Sequence, residues 1–183
     1  MNIVLIGMRC SGKSTISRRL SVATKRPVLS TDLLISYESG GRSIPAILAD
    51  HNGDWRPFRR MERAVVEKVA ALDGIIIDCG GGVVVELDER GDEIYARDKM
   101  DLLKRNGLVV WLHGDIPRLV AKAQKKSGRP SLGERISTEE MMHRRLPFYR
   151  QAADMVVDIE GENRKEDNLV REILQRLPAP ATP

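Results

Sequence analysis

Residues 3–24 read IVLIGMRCSGKSTISRRLSVAT, an apolar run that stops at a glycine loop and continues as an amphipathic helix. Ile3, Val4, Leu5 and Ile6 suit a short strand buried on both faces, and Gly7-Met8-Arg9-Cys10-Ser11-Gly12-Lys13-Ser14 fits the G-x-x-x-x-G-K-[ST] phosphate loop. In such a loop the backbone amides converge on phosphate oxygens, and Gly7 and Gly12 permit the turns. Lys13 would neutralise the β- and γ-phosphates, while the Ser14 hydroxyl would ligate Mg²⁺. The loop residues and Thr15 after them are the expected ATP contacts. The following helix points its positive end at the anion. Ile16, Leu20 and Ala23 form one face for packing on a sheet, leaving Arg18 and Arg19 in solvent. The loop has the strand-to-helix setting its mechanism needs, so the stretch reads as a nucleotide site.

The bulk numbers agree with a single α/β domain. The chain has 183 residues, 42% of them hydrophobic, enough for a sizeable core. No apolar stretch approaches the roughly 18 residues of a membrane span, and the N-terminus enters the first strand directly, so a cytoplasmic protein without a membrane partner is expected. Thirty basic against 26 acidic residues suit small anions but are too mild and dispersed for nucleic acid. Two cysteines make no disulfide framework and no metal-ligand spacing. Cys10 and Cys79 read as small residues beside a ligand rather than as a redox switch.

Along the chain, Pro27 to Asp32 reads as a second strand whose carboxyl end delivers Ser30 and Asp32 beside the phosphate loop. Asp32 also suits a helix N-cap for LLISYE. Residues 43–72 read as two helices parted at Asn52-Gly53, the first capped by Ser43 with Pro45 in its first turn. In the second, Phe58, Met61, Val65, Val69 and Leu72 form the apolar face, and Arg59, Glu62 and Arg63 read as a solvated face. Ile75-Ile76-Ile77-Asp78 has the strand-then-aspartate shape that holds magnesium in many phosphate-loop proteins. Gly80-Gly81-Gly82 lets backbone approach a ligand closely. Residues 83–97 suit a hairpin turned at Glu89-Arg90-Gly91-Asp92, and a helix over 97–105 should end at Asn106-Gly107. Leu108 to Leu112 is the next strand, and Asp115 caps the helix carrying Lys122. A polar loop follows at 125–131. Ser137 opens a capped helix through Arg145, Met155 to Ile159 is the fifth strand, and Asp167 caps a last helix. The tail 178–183 should fray.

Four separated motifs narrow the fold to a family. Thr31-Asp32 ends the second strand, Phe58-Arg59-Arg60-Met61-Glu62 follows on a helix, Gly80-Gly81-Gly82 ends the third strand, and Arg145-Leu146-Pro147-Phe148-Tyr149 precedes Ala152-Ala153-Asp154. In this order they resemble shikimate kinase, a small ATP-dependent enzyme that phosphorylates the 3-hydroxyl of shikimate on the way to aromatic amino acids. The resemblance implies a three-layer α/β/α P-loop kinase fold with a five-stranded parallel sheet of order 2-3-1-4-5, acting as a monomer. It implies one kinase domain over 1–177, with a substrate-binding region at about 32–62 and a lid at about 123–137.

Carried over residue by residue, Asp32 resembles the aspartate that hydrogen-bonds the substrate hydroxyls and can act as base. Arg59 and Arg145 resemble the pair that holds the shikimate carboxylate, and Gly80, Gly81 and Gly82 the glycines beneath the substrate. Arg129 resembles the lid arginine that reaches the ATP phosphates, and with Lys13 and Asp32 it completes the expected catalytic set. Lys122 stands where the family's adenine-stacking arginine is usual. Ser30 stands where the family usually carries an aspartate near magnesium, while Asp78 ends the third strand where a small uncharged residue is common, so Ser14 and Asp78 become the expected Mg²⁺ residues. Two other readings remain. One is a P-loop kinase of another small hydroxy acid, gluconate-like. The other is a nucleotide-binding regulatory module of the same fold.

Overall fold

The computed structural model describes residues 1–125, 137–161 and 164–178. The elements run β1 (Asn2–Ile6), α1 (Lys13–Thr24), β2 (Val28–Ser30), α2 (Thr31–Glu38), α3 (Ile44–Asp50), α4 (Trp55–Ala70), β3 (Ile76–Asp78), β4 (Val85–Leu87), β5 (Glu93–Tyr95), α5 (Arg97–Arg105), β6 (Gly107–His113), α6 (Ile116–Lys125), α7 (Thr138–Ala152), β7 (Met155–Asp158) and α8 (Glu166–Arg176). Five parallel strands form the central sheet in the order β2-β3-β1-β6-β7, and β4 and β5 form a separate antiparallel pair. Counted within the central sheet alone, that order is the expected 2-3-1-4-5.

The first strand shows why the sheet is covered on both faces. Side chains alternate along a strand. Ile3 and Leu5 join Ile16 and Leu20 of α1 and Leu169 and Ile173 of α8 in one apolar layer. Val4 and Ile6 join Phe58 and Val65 of α4, Met100 and Leu103 of α5, and Tyr149 of α7 in the other. An apolar residue at every position of β1 is what two covered faces require. Register brings the carboxyl ends of three strands together, with Leu5 of β1 opposite Asp78 of β3 and Asp78 opposite Ser30 of β2. Ligands gather outside such strand ends.

Local chemistry accounts for the remaining elements. Ser43 accepts from the Ala46 amide at the start of α3, Asp54 from Arg56 at the start of α4, and Ser137 from Glu140 at the start of α7. In the hairpin turn, the Asp88 carboxylate accepts from the amides of Arg90 and Asp92, and Gly91 takes a positive φ of 88°. Among the described residues no helix is long and apolar enough to cross a membrane.

Some expectations are corrected. Ser30, not Asp32, caps α2, accepting from the Leu33 amide; Asp32 falls within the first turn. Lys165 occupies the N-cap position of α8, and Asp167 lies in its first turn, paired with Arg19 across the surface. Ala23, in the last turn of α1, and Leu72, two residues past the end of α4, are exposed. The largest correction concerns α4. Arg59 and Glu62 are buried with the apolar face, at 3% and 1% exposure, and only Arg63 stays in solvent. Most of the expected lid, Arg129 included, and residues 179–183 of the tail lie outside the described residues.

Candidate active site

The phosphate loop bridges β1 and α1, and its shape depends on two glycines. A Cβ on Gly7 would come within 2.6 Å of Ser11 Oγ and 2.9 Å of the Leu112 carbonyl on β6. Gly12 takes a left-handed φ of 87° as the N-cap of α1, and its carbonyl accepts from Thr15 and Ile16. Lys13 Nζ lies against the loop, donating to the carbonyls of Gly7 at 2.8 Å and Met8 at 3.0 Å. The first-turn amides of α1 thus open where the lysine charge is also held, a pre-formed anion site.

The glycine triplet after β3 is held at each residue by a different element. The Gly80 amide donates to Thr31 Oγ1 of α2 at 2.8 Å, Tyr149 Oη of α7 donates to the Gly81 carbonyl at 2.5 Å, and Arg59 Nη1 of α4 donates to the Gly82 carbonyl at 3.0 Å. Side chains would not fit at two of the three positions. A Cβ on Gly80 would run into Asp32 Oδ1, and one on Gly82 would lie 2.6 Å from both terminal nitrogens of Arg59, whereas one on Gly81 meets only ordinary contacts from 3.5 Å. Tyr149 stacks on Trp111 at 5.8 Å between centroids, and burial pushes its phenol far up, so it remains a donor.

Arg59 belongs to a buried three-charge chain. Its Nη1 donates to Glu62 Oε2 at 2.7 Å, and the same oxygen accepts from Lys99 Nζ at 2.7 Å. Lys99 also donates to the Val85 carbonyl of β4 at 2.6 Å. Burial works to raise the Glu62 carboxyl, but Arg59 and Lys99 outweigh it and hold the group below its ordinary range. The guanidinium of Arg59 packs over the rings of Trp55 and Phe58, at 5.3 and 5.6 Å. Arg145, on α7, is 6% exposed. Its Nε donates to Glu93 Oε2 at 2.8 Å and its Nη2 to Glu93 Oε1. Among the described residues, Arg59 Nη2 and Arg145 Nη1 meet no hydrogen-bond acceptor.

One cavity of about 570 Å³ runs through these parts. Met8, Arg9, Cys10, Gly12, Lys13, Ser14 and Thr15 line its phosphate end; Asp32, Asp78, Gly81 and Gly82 its middle; Arg59 and Arg145 its far end. Gly7, Ser11 and Gly80 stand just behind this lining, shaping it through the contacts described above. Lys122 is exposed on α6 and does not reach the cavity. Cys79 also lines it, and burial pushes its thiol well up, which keeps it protonated and inert. Lys99 and Glu93 are functional neighbours that the sequence motifs do not mark. Lys99 lies one turn before the buried Leu103, beside Met100, so a lysine on the apolar face of α5 was a visible signal. Glu93 carries no comparable signal, because its partner lies 52 residues away.

In chemical terms, an anion cradle faces two guanidiniums across a short carboxylate-bearing gap. That order suits a phosphoryl donor, a hydroxyl acceptor and the acceptor's own carboxylate.

Comparisons with known proteins agree with this arrangement. A family model for shikimate kinase matches residues 9–178. The chain is 39% identical to a shikimate kinase of Leptospira biflexa over 91% of each protein. It is 40% identical to one of Leptospira borgpetersenii, over 96% of this chain and 95% of the relative. Among solved structures, a shikimate kinase from Acinetobacter baumannii in complex with shikimate superposes with a TM-score of 0.76 at 25% identity, over 95% of this chain and 90% of that one. A gluconokinase from Sinorhizobium meliloti superposes with a TM-score of 0.51 at 16% identity, over 95% of this chain and 89% of that one, a likeness of fold alone. The chain belongs to the shikimate kinase family.

Proposed function

We propose that this protein transfers the γ-phosphoryl group of ATP to the 3-hydroxyl of shikimate, giving shikimate 3-phosphate and ADP for aromatic amino acid synthesis. One observation carries the reading: a single cavity joins the phosphate loop to two inward guanidiniums, with Asp32 between them. The loop amides and Lys13 hold the phosphates. Arg59 and Arg145 take the substrate carboxylate through nitrogens not already bonded, and Asp32, backed by Gly80, takes the reacting hydroxyl. A loose transition state needs mainly such positioning and charge neutralisation, so Asp32 can act by orienting the hydroxyl as well as by receiving its proton.

The residues present also fit a hard divalent cation. Asp78 is 5% exposed, faces Ser30 across two strands in register, and lines the cavity with Ser14. A hydroxyl and a carboxylate are oxygen donors of the kind Mg²⁺ accepts. Bound there, Mg²⁺ would neutralise charge on the β- and γ-phosphates. Ser14 would be a direct ligand, and Asp78 would accept hydrogen bonds from the ion's water shell. Arg129, from the 123–137 lid, would add a further positive charge at the phosphates, and Lys122 would flank the nucleotide. The chain works as one kinase unit over 1–177, monomeric and cytoplasmic, with 32–62 as its substrate-binding region.

A coupled ADP-release assay with shikimate, gluconate and nucleoside monophosphates tests the reading. Shikimate alone should support turnover. Turnover with gluconate or a nucleotide instead would replace the substrate assignment, and none with any acceptor would favour a regulatory module.

A further inference from the structure

Phosphate binding and phosphoryl transfer leave one part of the chain unexplained, the hairpin of β4 and β5. It meets one carboxylate-binding arginine directly and the other through two intervening side chains. Lys99 bonds the Val85 carbonyl of β4 and, through Glu62, reaches Arg59. Glu93 of β5 meets Arg145 directly, along the edge of the guanidinium formed by Nε and Nη2.

Edge geometry decides what that second contact does. A guanidinium is a planar fork that can accept one carboxylate on its Nε and Nη2 edge and another at its Nη1 and Nη2 end. Glu93 occupies the first. Arg145 lines the cavity and Glu93 does not, so the glutamate lies behind the arginine rather than in the substrate's place. Arg145 Nη1 meets no acceptor among the described residues. We propose that Glu93 is a positioning residue, by which the hairpin fixes the plane of the Arg145 guanidinium so that its end faces the substrate carboxylate. This rests on the assignment of Arg145 to that carboxylate.

The alternative, that Glu93 is an internal competitor for the carboxylate site, has the opposite sign and can be separated by experiment. Steady-state constants for shikimate and ATP are measured on Glu93→Gln, Glu93→Asp and Arg145→Lys, with thermal unfolding of each. Loss of a charge-assisted bidentate contact should raise the shikimate KM of Glu93→Gln about tenfold. The ATP KM should stay near that of the parent protein, and the melting temperature should fall by only a few degrees, because Glu93 is partly solvated. Glu93→Asp, which keeps the charge on a shorter arm, should recover part of the loss, and it serves as the test variant if Glu93→Gln does not fold. A shikimate KM that falls identifies a competitor and overturns the proposal. So does a KM that stays level while Arg145→Lys raises it, or a loss equal for both substrates with a lowered melting temperature. If Arg145→Lys itself leaves the shikimate KM unchanged, the assignment of Arg145 fails and the role of Glu93 falls with it.

Discussion

Replacing Glu62 by Gln tests the buried charge chain most severely. Its Oε2 accepts from Arg59 and Lys99, both at 2.7 Å, and all three side chains are almost fully buried. Gln keeps the shape but removes the negative charge, leaving two cations beside one another. The nearest remaining carboxylate on Lys99 is Glu86, at 3.7 Å and partly solvated. Breaking a buried pair by removing one partner costs about 3–5 kcal/mol. For a domain of this size, at about 2–4 °C per kcal/mol, that is a fall of roughly 6–20 °C in melting temperature. Urea unfolding of the two proteins gives the free-energy difference directly. Adding Lys99→Met should restore more than about 1 kcal/mol, because one of the two stranded charges is then gone. The pH dependence has a definite sign. The folded Glu62 carboxyl lies below its ordinary value of 4.5, so its stabilisation is complete above that value and is lost as the pH falls through the folded pKa. The gap between parent and Glu62→Gln should therefore be widest near neutrality and shrink below pH 4.5. A loss under about 1 kcal/mol, the range of a surface pair, or a gap that is flat with pH, would refute the reasoning.

Three further outcomes are expected. Arg59→Lys should weaken shikimate far more than ATP, because a planar fork becomes a point charge; calorimetric titration showing equal losses would contradict the assignment. Ala at Gly80 or Gly82 should cut kcat/KM for shikimate by at least about tenfold, by pushing on Asp32 or Arg59, while Ala at Gly81 should be tolerated. Equal effects at all three positions would show that the loop is merely flexible. Asp78→Asn should raise the Mg²⁺ concentration needed for half-maximal turnover, and Ser30→Asp in the same protein should restore part of it, since the two positions face each other in register. An unchanged Mg²⁺ requirement in the folded Asp78→Asn protein would remove Asp78 from the metal site.

How far the sequence alone carries depends on whether a feature is local. The phosphate loop, the caps of α3 and α7, the Glu89 to Asp92 turn and the burial of β1 on both faces all arise within a few residues, and each was legible. Arg59 and Glu62 were not, because i, i+3 spacing is the same whether the helix face meets water or protein. Only the family resemblance pointed Arg59 inward. Lys99, arriving from α5, gives the buried Glu62 a second charge-assisted bond that only the folded chain supplies. Likewise, Asp32 and Ser30 both suit an N-cap, and the cap went to Ser30 because β2 ends at that residue. Glu93, unlike Lys99, left no local signal, because its role is set by a contact across the fold.

The measurement that bears most directly on the central claim is the ³¹P NMR spectrum of the product formed from ATP and shikimate. The account predicts one new phosphomonoester resonance coupled to the ring proton at carbon 3, appearing in step with ADP. Release of inorganic phosphate alone, or coupling to a different ring proton, would contradict it.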